Sequence, residues 1–445
     1  MSRLAFTHVR LVDPASGRDE PGQLVVENGK IADLGPNLFE GTPDGATLID
    51  GRGIYGGGID GGGIDGGGAV LAPALVDMRV QLREPGEEHK ENFQTASEAA
   101  AAGGVGAMVA LPNTQPIIDE VSLVEFVARR ARSVGLVDIW TYGAATKGLA
   151  GKELTEIGLM AAAGAVGFTD GTQTIASALV MRRALSYAKT FGQLILQHAE
   201  EPGLTSEAGM NEGEIATRLG LPGIPAAAEV IMLERDMRLV ELTGGRYHAA
   251  HLSTRAGVEV IRTAKNRGLS VTCDTAPAYF ALNETAVGDY RTFAKVSPPL
   301  RSEDDRRAIV EGLADGTIDA IASDHAPHDQ DSKRLPFAQA AAGIIGLETL
   351  LPLTLELVHN GHLKLQSALA ALSARPAALL GLGAGRMQKG SRADLVLFDL
   401  ERPYRINVDR FRSKSKNSPF DGRPVEGKVL MTVTRGRIVH DAREA

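Results

Sequence analysis

Short apolar runs alternate with Ala-rich helical segments from residue 73 to residue 385, and this repeat constrains the fold more than any other feature of the chain. Strand-like runs occupy 106–111, 137–142, 194–198, 247–252 and 318–324. Helical patterns at 95–102 and 255–267 lie between them. Strand-then-helix repeated over roughly 300 residues argues for a parallel sheet, most economically a (β/α)8 TIM barrel, so the fold class is α/β. Ionisable residues recur where the runs end, as at His198, His251 and Asp324. In such barrels the C-terminal rim of the strands is where sites are built.

The two chain ends have a different texture. Residues 2–55 break into short apolar runs with turn signals between them, and Asn28-Gly29 is a hairpin signal. Residues 391–440 repeat the pattern, with strand-like runs at 394–399 and 427–433 and a turn at Arg435-Gly436-Arg437. Residues 1–72 and 386–445 are therefore expected to join in one small β domain, with the barrel, 73–385, inserted between them. The tandem Gly-Gly-Gly-Ile-Asp repeat within 56–68 reads as a mobile surface loop, since glycine is entropically costly to order. No Gly-Lys-Ser/Thr follows it, which argues against a phosphate-binding loop.

Bulk composition narrows the function classes. The formal net charge of −8 argues against a general affinity for nucleic acid or an acidic membrane surface. One cysteine, Cys273, excludes an intramolecular disulfide and a Cys-rich zinc site. No apolar run approaches the length of a membrane span, and a cytoplasmic protein is the expectation.

Residues 77–86 read Asp-Met-Arg-Val-Gln-Leu-Arg-Glu-Pro-Gly. Side chains alternate along a strand, so Arg79, Gln81 and Arg83 share a face. Further on come Pro112-Asn113-Thr114-Gln115-Pro116, Thr146-Lys147-Gly148-Leu149 and Ser323-Asp324-His325-Ala326-Pro327-His328. Gly346-Leu347-Glu348-Thr349 and Lys416-Asn417-Ser418-Pro419-Phe420 follow. In order and spacing these segments resemble the type I dihydroorotases of the amidohydrolase superfamily over almost the full chain. The resemblance is to the non-catalytic homologues in particular, because the family's opening Val-Asp-x-His-x-His-x-Arg has Arg79 and Gln81 in place of its two histidines.

That resemblance implies a cyclic-amide hydrolase site with two divalent ions. One ion would be held by the missing histidine pair and a late Asp, and the other by two later histidines. A carboxylate would bridge both. Position by position, His198 and His251 match the later histidines, and Asp324 matches the late Asp that shuttles the proton. Asp170 stands nearest to the bridging carboxylate, but the chain has Phe168-Thr169-Asp170-Gly171 where the family has one Asp more. Arg83, Asn113 and His328 match positions that contact substrate. Ser297 replaces a usual Asn, and 337–343 departs from the family's binding loop.

Arg has five donors, no acceptor and a permanent charge, so Arg79 cannot ligate a metal. The expectation is at most one weakly held zinc per chain, near His198 and His251, and no two-metal centre. Arg79 is expected to replace the first ion electrostatically by pairing with Asp324, and with Asp170 as a further partner. The resemblance implies a non-catalytic, oligomeric partner of aspartate transcarbamoylase in pyrimidine biosynthesis. The alternative is an active one-zinc enzyme acting on dihydroorotate or carbamoyl aspartate, or a related cyclic amidohydrolase.

Overall fold

The computed structural model of the chain describes residues 3–52, 69–206 and 208–443. The Gly-rich repeat expected to form a mobile loop lies outside the described residues.

Eight parallel strands follow one another around a sheet in chain order. They are Leu75–Val80, Val105–Ala110, Asp138–Gly143, Ala165–Thr169, Leu194–His198, Arg246–Ala250, Val271–Thr275 and Ala320–Ile321. The first and last approach each other. Val80 bridges His325, the Gln81 N–H donates to the His325 carbonyl at 2.8 Å, and the Ser323 N–H donates to Asp77 Oδ1 at 3.1 Å. This is a (β/α)8 barrel. Met78, Val109, Tyr142, Leu196 and Ala320 fill its interior, and the buried Tyr142 hydroxyl donates to the Met78 carbonyl at 2.8 Å.

Local sequence explains the helices that surround the strands. Phe93–Ala102 begins at Asn92, whose side chain and that of Thr95 form a reciprocal capping box. Arg255–Asn266 begins at Thr254, whose side chain accepts from the Gly257 N–H. Its buried residues Gly257, Val258, Ile261 and Ala264 recur at helical spacing and face the strands. A Cβ at Gly257 would sit 2.3 Å from the Glu229 carboxylate, so only glycine lets this helix approach so closely.

A second sheet is built from both chain ends. Val70–Pro73 lies between Arg3–Asp13, which it pairs in parallel, and Leu395–Arg405, which it pairs antiparallel. The Asn28-Gly29 hairpin forms with Glu27 opposite Lys30 and both turn residues at positive φ. Arg435-Gly436 makes the equivalent turn between Thr434 and Arg437. Phe6, Leu11, Leu24, Leu71, Leu395 and Met431 form this unit's own core.

Candidate functional site

The first barrel strand carries Arg79 into the mouth of the barrel, where its side chain is 2% exposed. Arg79 Nε donates to Asp324 Oδ1 at 3.2 Å, and Nη2 donates to the Gly171 carbonyl at 3.2 Å. Nη1 is buried without a partner. Asp324 follows the shortest strand and takes a left-handed φ of 49°. It stands three residues beyond the strand, and its carboxylate meets both Arg79 and His251. His251, just after the sixth strand, is also left-handed, with φ 57°. Its Nε2 lies 3.0 Å from Asp324 Oδ1 and its Nδ1 lies 3.1 Å from Asp274 Oδ1. Beyond Asp274, His248 Nε2 lies 3.6 Å away.

The result is a buried row of alternating charge: Arg79, Asp324, His251, Asp274. Burial opposes a charged imidazole at His251, but Asp324 and Asp274 outweigh it and raise its pKa to about 9. Burial likewise opposes ionisation of Asp324, yet the charges of His251 and Arg79 hold its pKa below the usual range. Asp274 is held low by His251 and His248 against the same penalty. Asp77, below Arg79 on the first strand, is pushed by burial up to about 6.

The other expected site residues make separate contacts. Asp170 does not share the Arg79 pair. Its Oδ1 accepts from the Thr146 N–H at 2.8 Å and its Oδ2 from the Thr146 hydroxyl, so the guanidinium meets the Gly171 carbonyl instead. His198 Nε2 faces Glu200 Oε2 at 2.8 Å, and the Ser297 hydroxyl donates to the same oxygen at 2.8 Å. His198 Nδ1 is buried without a partner. The Asn113 amide donates to the Gln81 carbonyl oxygen at 3.1 Å. Arg83, left-handed at φ 63°, donates from Nε to the Pro327 carbonyl at 3.0 Å and from Nη1 to Glu87 at 3.1 Å. His328 Nε2 sits 3.3 Å from Arg83 Nη2 and 2.9 Å from the Ala342 carbonyl. Burial and the Arg83 charge press the His328 pKa down to about 3, which keeps the ring neutral.

These contacts decide how a metal would fit. A two-ion centre does not fit this donor set. Arg79 offers no lone pair, Gln81 is engaged by Asn113, and both oxygens of Asp170 are taken by Thr146. Among the described residues no three His, Cys, Asp or Glu side chains are grouped to hold an ion. What the arrangement can do is hold a buried carboxylate ionised between two cations.

Three members of the site stood out poorly in the sequence. Asp274 and Glu200 orient His251 and His198, and Glu87 occupies Arg83. The only signal for Asp274 was a charge inside an apolar strand run, and for Glu200 its place two residues after a strand-end histidine.

Comparison with known proteins agrees with the barrel fold. A family model described as Dihydro-orotase-like matches residues 68–257. A dihydroorotase of Anaplasma phagocytophilum (strain HZ) is 45% identical over 99% of this chain and 95% of its own length. A dihydroorotase of Wolbachia sp. subsp. Drosophila simulans (strain wRi) is 43% identical over 99% and 96%. Among solved structures, an L-hydantoinase (dihydropyrimidinase) from Arthrobacter aurescens superposes with a TM-score of 0.84 at 27% identity, covering 99% of this chain and 96% of that one.

Proposed function

Because this chain belongs to the dihydroorotase family and has an amidohydrolase-type barrel, we propose that it is a non-catalytic member, serving de novo pyrimidine biosynthesis as a structural partner of aspartate transcarbamoylase. The observation that carries the reading is the buried Arg79–Asp324 contact at 3.2 Å. A guanidinium supplies positive charge but no vacant orbital. It cannot lower the pKa of a bound water as a divalent ion does. It also engages the carboxylate that would otherwise move the proton. Co-expression with aspartate transcarbamoylase tests the partnership: the two chains should co-elute as one species. Separate elution at micromolar concentration would count against it.

One observation favours a second reading, an active enzyme with a single zinc on dihydroorotate or a related cyclic amide. His198 Nδ1 is buried and unpartnered, so one lone pair remains for an ion. In that reading His198 and His251 would hold the metal after His251 parts from Asp324, and Arg83, Asn113 and His328 would position the substrate. The first reading is preferred because the charge row must break before the second can operate.

A further inference from the structure

Residues 336–343 close the side of the barrel mouth where His328 meets Arg83. Their carbonyls are held by side chains from outside the loop. Lys295 Nζ donates to the Phe337 carbonyl at 2.8 Å and to the Ala338 carbonyl at 3.0 Å. Lys333 Nζ donates to the Ala341 carbonyl at 2.7 Å and to the Gly343 carbonyl at 3.1 Å. The Ala342 carbonyl lies 2.9 Å from His328 Nε2. Backbone contacts fix the two lysines in turn. The Gly343 N–H donates to the Lys295 carbonyl at 2.9 Å, and the Thr292 hydroxyl donates to the Lys333 carbonyl at 2.6 Å.

Both lysines are buried, Lys333 to 2% exposure and Lys295 to 7%. Among the described residues neither amine has a carboxylate partner. A buried lysine is ordinarily paired with an acid, because an unpaired charge loses its hydration. Here each amine meets two carbonyls instead. A neutral amine has two N–H groups, so at Lys333 it satisfies both acceptors with none left over. An ammonium has three. A proton on Lys333 therefore adds a charge and a donor without a partner. The groups around Lys333 do not offset that charge. Lys295 carries the same sign, and His328 is held neutral beside Arg83. On the helix of Lys333 itself, Asp329 accepts from the Ser332 N–H, and Asp331 and Arg334 are exposed. Burial first, and then the Lys295 charge, lower the Lys333 pKa from 10.5 to about 7. Burial lowers that of Lys295 as well.

We propose that Lys295 and Lys333 latch residues 336–343 shut over the barrel mouth, and that uptake of a proton at Lys333 favours opening of the latch. The sign follows from the burial. In the open loop the amine is in water and keeps its proton up to about 10.5, whereas in the closed loop it keeps it only up to about 7. Falling pH therefore favours the open loop, and the effect is exhausted below about 7. Opening separates the Ala342 carbonyl from His328 and uncovers that side of the mouth. The latch is independent of whether the mouth is catalytic.

Hydrogen exchange of the full chain tests it, read by mass spectrometry on peptides spanning 337–343 from pH 6 to 9 and corrected for the intrinsic effect of hydroxide on exchange. Loop protection should rise ~50-fold between pH 7 and 9, but only about twofold between pH 6 and 7. Lys333→Met should flatten the rise to the smaller part contributed by Lys295. Lys333→Gln, which keeps two N–H groups without the charge, should flatten it as well. Peptides from Arg255–Asn266 report global unfolding, and thermal melting checks that each variant folds. Protection of the wild-type loop that stays flat from pH 7 to 9 would overturn the proposal without any variant. So would the full rise in folded Lys333→Met, or an equal rise in the reference helix.

Discussion

Replacing Arg79 with Met removes the central cation of the barrel mouth while keeping most of its apolar bulk. Breaking a buried ion pair by deleting one partner costs about 3–5 kcal/mol. Here the cost falls toward the lower end, because Asp324 keeps His251 at 3.0 Å. Losing the hydrogen bond to the Gly171 carbonyl adds about 1 kcal/mol. Removing Nη1, already buried without a partner, returns about as much. The net loss is on the order of 3 kcal/mol. With an unfolding entropy of roughly 0.9 kcal/mol/K for a chain of this length, the midpoint should fall by about 3 °C. Calorimetry at neutral pH reads this directly. Asp324→Asn in the same background completes a double-mutant cycle, and the double variant should lose less than the sum of the singles by about 2 kcal/mol. Arg79→Met as stable as the wild type, or a strictly additive cycle, would refute electrostatic replacement of an ion by Arg79.

Three other expectations follow from particular contacts. Burial pushes the Glu348 carboxyl up to about 7, against the Ser413 and Arg412 N–H groups that it accepts. The folded chain therefore binds this proton more tightly than the unfolded one, whose value is 4.5. Stability should fall as pH rises from there through about 7 and then level off. Glu348→Gln should flatten that fall in melting curves taken across the window, gaining at most about 3 kcal/mol above it; an unchanged pH slope would rule this out. Gly86 has φ 102°, and a Cβ there would sit 2.3 Å from the Gln115 carbonyl, whereas Gly164, at φ 113°, faces open space. Gly86→Ala should cost several-fold more than Gly164→Ala, for which about 1–2 kcal/mol is expected from backbone strain alone, as chemical denaturation would show. Arg79→His with Gln81→His should retain more zinc after dialysis than the wild type by elemental analysis, and equal retention would show that the histidine pair is not the missing element.

Much of the architecture was legible because local chemistry and tertiary structure agree. The hairpins at Asn28-Gly29 and Arg435-Gly436 use residues that tolerate positive φ, and both formed. The helix at Arg255–Asn266 follows its apolar spacing and its Thr254 cap. The eighth strand, Ala320–Ile321, is shorter than its apolar run suggests, and His325 bridges the first strand only after the left-handed Asp324. Arg79 pairing with Asp324 was legible, since a buried guanidinium needs a carboxylate and the strand alternation set its direction. Its second partner was not. Asp170 and Gly171 are adjacent in sequence, and only Thr146, through both its N–H and its hydroxyl, decides that the carboxylate turns away. Asp274 binding His251 was hidden for a similar reason, because the two meet through neighbouring strands rather than through sequence spacing.

The most direct test is hydrolysis of dihydroorotate by the purified chain, free of any partner, with zinc in excess. A guanidinium seated on Asp324 predicts no turnover above the buffer rate, with or without added metal. Sustained turnover that depends on zinc and disappears in His198→Ala would contradict the non-catalytic reading and establish the single-metal enzyme in its place.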